Sequence, residues 1–153
     1  MSEKLKMDPN TLVDPKFIGI PYALGKSSLE GADCIGLLIM WVRETFGIEY
    51  EYDDKQGAVM ENWWERNPRR FLDAFLQLGD IVHFHDLKKY DVLMLFGTEQ
   101  SSYPSCLGIM VDDRHFLMML EGRGSFVEKL NLYWKSKFFG AIRLHKIKEA
   151  TGA

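Results

Sequence analysis

The sequence predicts a single α+β domain in which helices come first and an antiparallel sheet of about five or six strands follows. The chain has 153 residues, of which 46% are hydrophobic, and this is enough to bury one core. Apolar residues recur at helical spacing before about residue 80, whereas short strand-like runs dominate afterwards. No repeat or linker divides residues 1–153, so we expect the helices to pack on one sheet.

The clearest helix is predicted over residues 34–46. Asp33 can cap its first turn, and Gly47 suits its end. We expect this helix to be buried through residues at helical spacing, which are Cys34, Leu37, Leu38, Trp41, Val42 and Thr45.

Two further helices are predicted before the sheet. The later one starts at Asn67 and Pro68, which suit a cap and a first turn, and reaches about Leu78. The earlier one spans about residues 54–66, and its predicted buried residues are Val59, Met60, Trp63 and Trp64.

Strands are predicted after the helices from short runs rich in apolar residues. Asp112, Asp113 and Arg114 form a tight hairpin turn between two of them. The predicted strands span residues 81–84, 92–96, 107–111, 115–120, 125–130 and 141–147.

Charge and hydropathy exclude several function classes. Nineteen basic and 22 acidic side chains give 19 − 22 = −3, without a long block of either sign. Nucleic acid and anionic lipid are therefore not expected partners, and Arg66, Arg69 and Arg70 are interpreted as a solvated helix face. The N-terminus lacks the apolar core of a signal peptide, and no run approaches the roughly 18 apolar residues of a membrane span. We expect a protein made in a cytoplasm without a membrane anchor.

Cysteine and histidine spacing predicts neither a metal nor a cofactor. Cys34 and Cys106 do not form a disulfide framework, and no CxxC or HxxxH spacing is present. His83 and His85 would share one face of a strand, but no third ligand lies near them in the sequence.

Cys34 stands where a loop becomes a helix. The first-turn amides of a helix are unpaired and carry partial positive charge, so they favour a thiolate and can hold a developing oxyanion. A free cysteine on a core-facing helix is equally well explained as a small apolar core residue. This geometry alone leaves both interpretations open.

An ordered pattern surrounds Cys34. IGIPY at residues 18–22 is followed by Gly25 and by GADCIGL at residues 31–37, and the next helix closes in ETFG. This pattern resembles the NlpC-type family of cell-wall endopeptidases, which have a papain-like cysteine peptidase fold. The resemblance implies the same fold for this chain.

Two later segments extend the resemblance. Residues 90–96 (YDVLMLF) are similar to the family's GDVLxF strand, and residues 106–110 (CLGIM) are similar to its HVGIY strand. The resemblance covers about residues 17–145.

The resemblance implies roles for four residues. Cys34 matches the nucleophile that attacks a peptidoglycan stem-peptide amide, and Tyr22 matches a tyrosine that lines the site. Cys106 stands at the position of the histidine base, and Met118 stands at the position of the residue that orients it.

These substitutions leave the predicted site without a base. A cysteine nucleophile needs a partner that takes its proton and later protonates the leaving amine, which a thiol or a thioether does not do near neutral pH. His115 should lie on the order of 13 to 16 Å from Cys106, too far to substitute. A relocated base stays an alternative for the histidines that the sequence does not place, which are His83, His85 and His145.

The same alignment predicts that the sulfurs of Cys34 and Cys106 lie within or near disulfide reach. We expect both thiols to be reduced in the cytoplasm and to be open to oxidation outside it.

The resemblance also implies a biological setting. GIPY, GADCxGL and RETFGI are most similar to small tail-tip proteins of tailed bacteriophages, with other tail-tip or hub proteins as partners and peptidoglycan as a further candidate. We expect an impaired copy that serves tail assembly in the virion, with an active hydrolase acting through Cys34 as the alternative. A lipid-modifying or acyl-transferring relative would need a membrane anchor. Candidate contact residues, which the core could also hold, are Trp63, Trp64, Tyr103 and residues 134–139.

Overall fold

The computed structural model describes residues 8–50, 70–97, 104 and 106–152, and it has the predicted α+β architecture. Three 3₁₀ turns, Pro9–Leu12, Pro15–Phe17 and Phe84–Asp86, accompany the helices. No helix in these ranges is both long and apolar enough to span a bilayer. The described helices are α1 Cys34–Phe46, α2 Arg70–Leu78, α3 Leu132–Ser136 and α4 His145–Thr151.

The described strands form two antiparallel sheets. The small sheet pairs β1 (Ser27–Ser28) with β2 (Gly31–Ala32). The main sheet has the strand order β3-β8-β4-β5-β6-β7. Its strands are β3 Gly79–Val82, β4 Val92–Leu95, β5 Cys106–Met110, β6 His115–Leu120, β7 Gly124–Lys129 and β8 Phe138–Leu144.

Helix α1 has the predicted bounds and the predicted caps. The Asp33 side chain accepts a hydrogen bond from the Gly36 N–H, and Gly47 ends the helix with a left-handed φ of 71°. The end of α2 at Leu78 also confirms the prediction. The predicted helix over residues 54–66 and the predicted helix start at Asn67 lie outside the described residues.

The predicted strand over residues 81–84 is shifted along the chain. Strand β3 begins at Gly79, where a Cβ atom would lie only 2.4 Å from the Arg143 carbonyl oxygen of β8. This glycine allows the two backbones to approach closely, so pairing starts directly after α2.

The predicted strand over residues 141–147 is wrong at its end, because β8 stops at Leu144 and α4 follows at once. Leu144 lies opposite Gly79, the first residue of β3, and the pairing with β4 already ends at Ile142. The described strands therefore offer no partner beyond Leu144, and the chain turns into a helix that buries Ile147.

Helix α3 was not predicted. The Asn131 side chain caps it by accepting a hydrogen bond from the Trp134 N–H at 3.1 Å. Trp134 is buried, whereas Tyr133 and Phe139 are 55% and 36% exposed. The segment over residues 134–139, a predicted contact region, is therefore only partly exposed. The other predicted contact residues lie outside the described residues, and they are Trp63, Trp64 and Tyr103.

The core has two layers, one on each face of the main sheet. Helix α1 packs on one face through Leu37, Met40 and Trp41, which meet alternate strand residues such as Ile109 and Leu117. The other face carries a second buried cluster, which contains Leu93, Leu95, Met110, Phe116, Met118, Phe126 and Trp134. This alternation is the strand periodicity that the sequence shows.

The N-terminal segment lies along the outer edge of β7. The Val127 N–H donates to the Asn10 side chain at 2.9 Å. Ser125 exchanges backbone hydrogen bonds with Gly19 and Ile20, and its buried hydroxyl donates to the Phe17 carbonyl at 2.6 Å. These bonds fix the start of the IGIPY segment on the sheet.

A buried ion pair joins the turn before β4 to β8. Asp91 is 1% exposed and accepts two hydrogen bonds of 2.9 Å from the Arg143 guanidinium, together with one of 2.8 Å from the Lys88 N–H. The hydrogen bond to Asp91 is the main cause that raises the pKa of Arg143 above its ordinary value. Two distant chain segments are thereby held in register.

Replacing Arg143 with methionine is expected to lower the free energy of unfolding by about 2 to 3 kcal/mol, because Asp91 would stay buried without its counter-charge. Urea denaturation measures this loss. Arg114→Met is the matched control, since Arg114 is exposed on the hairpin, and it should change stability by less than about 0.5 kcal/mol. Equal effects of the two substitutions would contradict the assignment.

Candidate active site

The candidate site is built around the start of α1. Asp33 is 5% exposed, and its two carboxylate oxygens accept hydrogen bonds of 2.8 Å from the Gly25 and Gly36 N–H groups. One side chain therefore caps the helix and also fixes the preceding loop. Cys34 follows as the first residue of the helix.

Gly36 explains the spacing of the GADCIG motif. A Cβ atom at this position would lie 1.8 Å from the Lys26 carbonyl oxygen, which is impossible without a backbone shift. The first turn of α1 therefore presses directly on the chain that leads into β1, and only glycine allows this approach.

The Cys34 thiol lies between strands β5 and β6. Its sulfur donates a hydrogen bond to the Met119 carbonyl at 3.6 Å, and the Leu107 backbone N–H donates to the sulfur. The pairing of β5 with β6 ends at Gly108 opposite Met118, although both strands continue by two residues. The thiol thus uses backbone groups at the point where the two strands separate.

Cys106 is a side-chain partner of Cys34. The two thiols are in hydrogen-bonding contact, and neither cysteine is in a disulfide. Cys106 begins β5 and lies opposite Leu95 of β4. The predicted proximity of the two sulfurs is therefore confirmed.

The surroundings raise the pKa of the Cys34 thiol well above its ordinary value. The hydrogen bond with Cys106 is the leading cause, followed by burial and by the charges of Cys106 and Asp33. The Leu107 N–H acts in the opposite direction but does not outweigh them. The thiolate expected from the helix terminus alone is thus disfavoured.

Tyr22 lies beside the two cysteines. It is half-buried and is held by a bridge to Ala32, next to the start of α1. Burial raises the pKa of its phenol most, and the neighbouring Cys34, Asp33 and Glu121 raise it further. Tyr22 therefore stays neutral and can serve as a hydrogen-bond donor.

Glu121 lies near the site, which the sequence patterns did not indicate. Its charge contributes to the raised pKa of Tyr22. It directly follows Leu120, the residue that lies opposite Cys106 when the β5–β6 register is continued. Counting this register from the predicted hairpin would have placed Glu121 near the thiols.

Solved structures provide an independent comparison. The chain is similar to an NLP/P60 family protein from Staphylococcus aureus described as similar to lipoprotein (20% identity, 84% of this chain and 38% of that one, TM-score 0.56). An NlpC/P60 family protein from Bacillus cereus also matches at 20% identity over 84% of this chain; the match covers 36% of that protein and has a TM-score of 0.58. The NlpC/p60 domain of the peptidoglycan hydrolase SagA matches at 17% identity over 85% of this chain and 92% of that one, with a TM-score of 0.53. The chain has the NlpC/P60 fold.

These likenesses differ in how much of each known protein they cover. This chain spans less than two fifths of the Staphylococcus and Bacillus proteins but nearly all of the SagA domain. No protein-family model matches the sequence, and no curated protein matches it. The comparisons therefore establish the fold, and the chemistry depends on the residues themselves.

Met118 is the predicted counterpart of the residue that orients the histidine base, and in this structure it is a core residue. It is fully buried and lies opposite Gly108, on the same sheet face as Cys106. Its neighbours in the second cluster include Phe116 and Phe126. A thioether in this environment has no proton to offer and cannot orient a base.

None of the four histidines lies beside Cys34. His115 is ion-paired with Asp112 and stands four residues from Met119, which is about 13 Å along β6. His83 follows the end of β3, three strands away from β5 and so about 14 Å to the side. Of the other two histidines, His85 lies in the 3₁₀ turn Phe84–Asp86, and His145 pairs with Asp80 at the surface.

No cluster of three or more His, Cys, Asp or Glu side chains suits a metal ion within the described ranges. The arrangement of Cys34 and Cys106 instead supports thiol chemistry.

Oxidised glutathione is expected to link Cys34 to Cys106. One thiolate attacks the oxidant and releases a glutathione thiol, and the second then attacks the mixed disulfide and releases another. Because the pKa of Cys34 is raised, bridge formation should keep accelerating as the pH rises past about 8.5, where an ordinary thiol is already half ionised.

Mass spectrometry of the alkylated protein detects the linked peptides. Cys106→Ser is the control, and it should stop at the mixed disulfide on Cys34. Separate, lasting modification of both thiols without a linked peptide would count against the contact.

Proposed function

We propose that this chain is a catalytically impaired NlpC/P60-type domain that serves as a structural component of a bacteriophage tail tip. The proposed loss of activity follows from one observation: the side chain that contacts the Cys34 thiol is a second thiol, that of Cys106. Histidine would be needed at that position for a peptidase of this type.

Amide hydrolysis by a cysteine requires two proton transfers. The thiol must lose its proton before attack, and the leaving amine must gain one. Cys106 raises the pKa of Cys34, so the nucleophile stays protonated near neutral pH. The Met119 carbonyl accepts a hydrogen bond from the thiol but cannot act as a base.

The geometry around the thiol is nevertheless retained. Asp33 still caps α1, Gly36 still allows the close approach of the helix, and Tyr22 still lies beside Cys34. One similar structure is a domain of a peptidoglycan hydrolase. We therefore propose peptidoglycan as a ligand that the domain can contact without cleaving it.

The placement in a phage tail rests on the form of the sequence motif. GIPY, GADCxGL and RETFGI at residues 19–22, 31–37 and 43–48 resemble the motif of small tail-tip proteins of tailed bacteriophages. The partners would then be other tail-tip or hub proteins. The exposed side chains of Leu132 and Tyr133, at 84% and 55%, offer apolar surface for such contacts.

The alternative is an active hydrolase with a relocated base. All four histidines of the sequence lie in the described ranges, and each is placed away from Cys34. An active enzyme would therefore need a base of another kind.

Purified peptidoglycan is expected to yield no new muropeptides with the wild-type chain or with Cys34→Ala. Cys106→His should raise product release at least about tenfold above this blank, because an imidazole would then stand beside the nucleophile. Mass spectrometry of the digests measures the products.

The control for this gain is Cys106→His combined with Cys34→Ala, which should return to the blank. Wild-type activity that disappears in Cys34→Ala would overturn the proposed loss of catalysis and support the active hydrolase.

The chain is also expected among the proteins of purified tail particles. Quantitative mass spectrometry of tails compared with host lysate tests this placement. Enrichment in the soluble host fraction rather than in tails would argue against a tail component.

A further inference from the structure

A groove of about 470 Å³ lies at the hairpin end of the main sheet, remote from the two thiols. It is formed by the β5–β6 hairpin, by the end of β7 with α3, and by the 3₁₀ turn Phe84–Asp86. Leu87 and Leu130, which line it, pack on the sheet face that α1 does not cover. Cys106 lies at the opposite end of β5, about 13 Å from Met110.

The groove carries an excess of positive charge. Arg114, Lys129 and Lys135 line it together with a single carboxylate, that of Asp113, whereas the whole chain has a net charge of −3. In the part of the chain that the structure describes, Arg114 and Lys129 form no ion pair with a carboxylate. A concave site lined by one sign of charge concentrates ions of the opposite sign.

The hairpin brings the backbones of Arg114 and Lys129 close together. The Leu130 N–H donates to the Arg114 carbonyl at 2.8 Å, and Lys129 lies opposite His115, the residue after Arg114. Arg114 therefore shares a sheet face with Leu130, whereas Lys129 leaves the edge strand β7 on the other face, and both residues line the groove. An anion in the groove would offset the charge of both.

A second groove, of about 300 Å³, shows the contrasting case. It is lined by Lys16 and Lys89 and by two carboxylates, Asp14 and Glu44. Lys16 pairs with Glu44 at 2.9 Å. The two carboxylates balance the two lysines of this second groove, so an anion would gain less by binding there.

The positive groove also has an aromatic and aliphatic lining. The Lys135 ammonium lies 5.7 Å from the centre of the Phe84 ring, and Leu87 and Leu130 complete the apolar part. The volume falls in the range of about 300 to 1,000 Å³ that is common for small-molecule sites. A fitting ligand therefore combines negative charge with an apolar ring or chain.

We propose that this groove binds an organic phosphate monoester. Its dianionic group would lie against the cationic side chains of the groove, which are Arg114, Lys129 and Lys135, and its apolar part would rest on Phe84 and Leu130. A dianion matches the net charge of two from three cations and one carboxylate, and the guanidinium of Arg114 suits a tetrahedral oxyanion.

Titration of the ¹⁵N-labelled protein with phenyl phosphate tests the proposal. Amide shifts should map to residues 84–87, 113–114 and 129–135, with a dissociation constant in the millimolar range or below. Inorganic phosphate should bind more weakly, because it lacks the apolar part, and neutral benzyl alcohol should not saturate the site. Added salt should weaken the binding of both anions.

Single substitutions then locate the anion. Arg114→Ala and Lys129→Ala are each expected to weaken phenyl phosphate binding about three- to tenfold. Lys89→Ala is the matched control, because it removes the same charge from the balanced groove, and it should leave the affinity unchanged. Shifts that map elsewhere, or equal affinity in Arg114→Ala, Lys129→Ala and wild type, would overturn the proposal.

Discussion

The candidate site depends on the two hydrogen bonds that the Asp33 carboxylate accepts. One comes from Gly25 in the loop and the other from Gly36 in the first turn of α1. Helix caps of this kind contribute about 1 kcal/mol, and hydrogen bonds to a buried charge contribute about 1.5 to 3 kcal/mol. Without them the loop that carries Tyr22 and the helix that carries Cys34 would lose their common anchor.

The Asp33 hydrogen bonds hold the helix start in place whether the Cys34 side chain is a thiol or a thiolate. A helix terminus favours a nearby anion by about 0.3 to 1 kcal/mol, whereas the hydrogen bond with the Cys106 thiol and burial raise the pKa of Cys34 well above its ordinary value. The side chain at the first position of β5 is thus the leading influence on the protonation of the nucleophile. Fold and protonation are controlled by different residues, so one can persist while the other changes.

Much of this arrangement could be predicted from local sequence rules. Asp33 and Gly47 mark the ends of α1 because capping is a local interaction, and the hairpin at Asp112 sets the register that brings Cys106 and Met118 to one sheet face. The contact between Cys34 and Cys106 was predicted from the resemblance, not from spacing.

Other features depend on tertiary pairing and could not be predicted from local patterns. The turn of the chain into α4 after Leu144 reflects where β3 and β4 stop pairing with β8. The position of the Cys34 sulfur between the Leu107 and Met119 backbones reflects the separation of β5 and β6, which no side-chain pattern records. The IGIPY segment also has a task unrelated to catalysis, since Ile20 pairs with Ser125 on the outer strand of the sheet. An unpaired outer strand is a template for edge-to-edge aggregation, and this segment covers that template. Selection for solubility alone would therefore preserve a motif that looks enzymatic, whether or not a histidine stands beside the cysteine to give it a catalytic use.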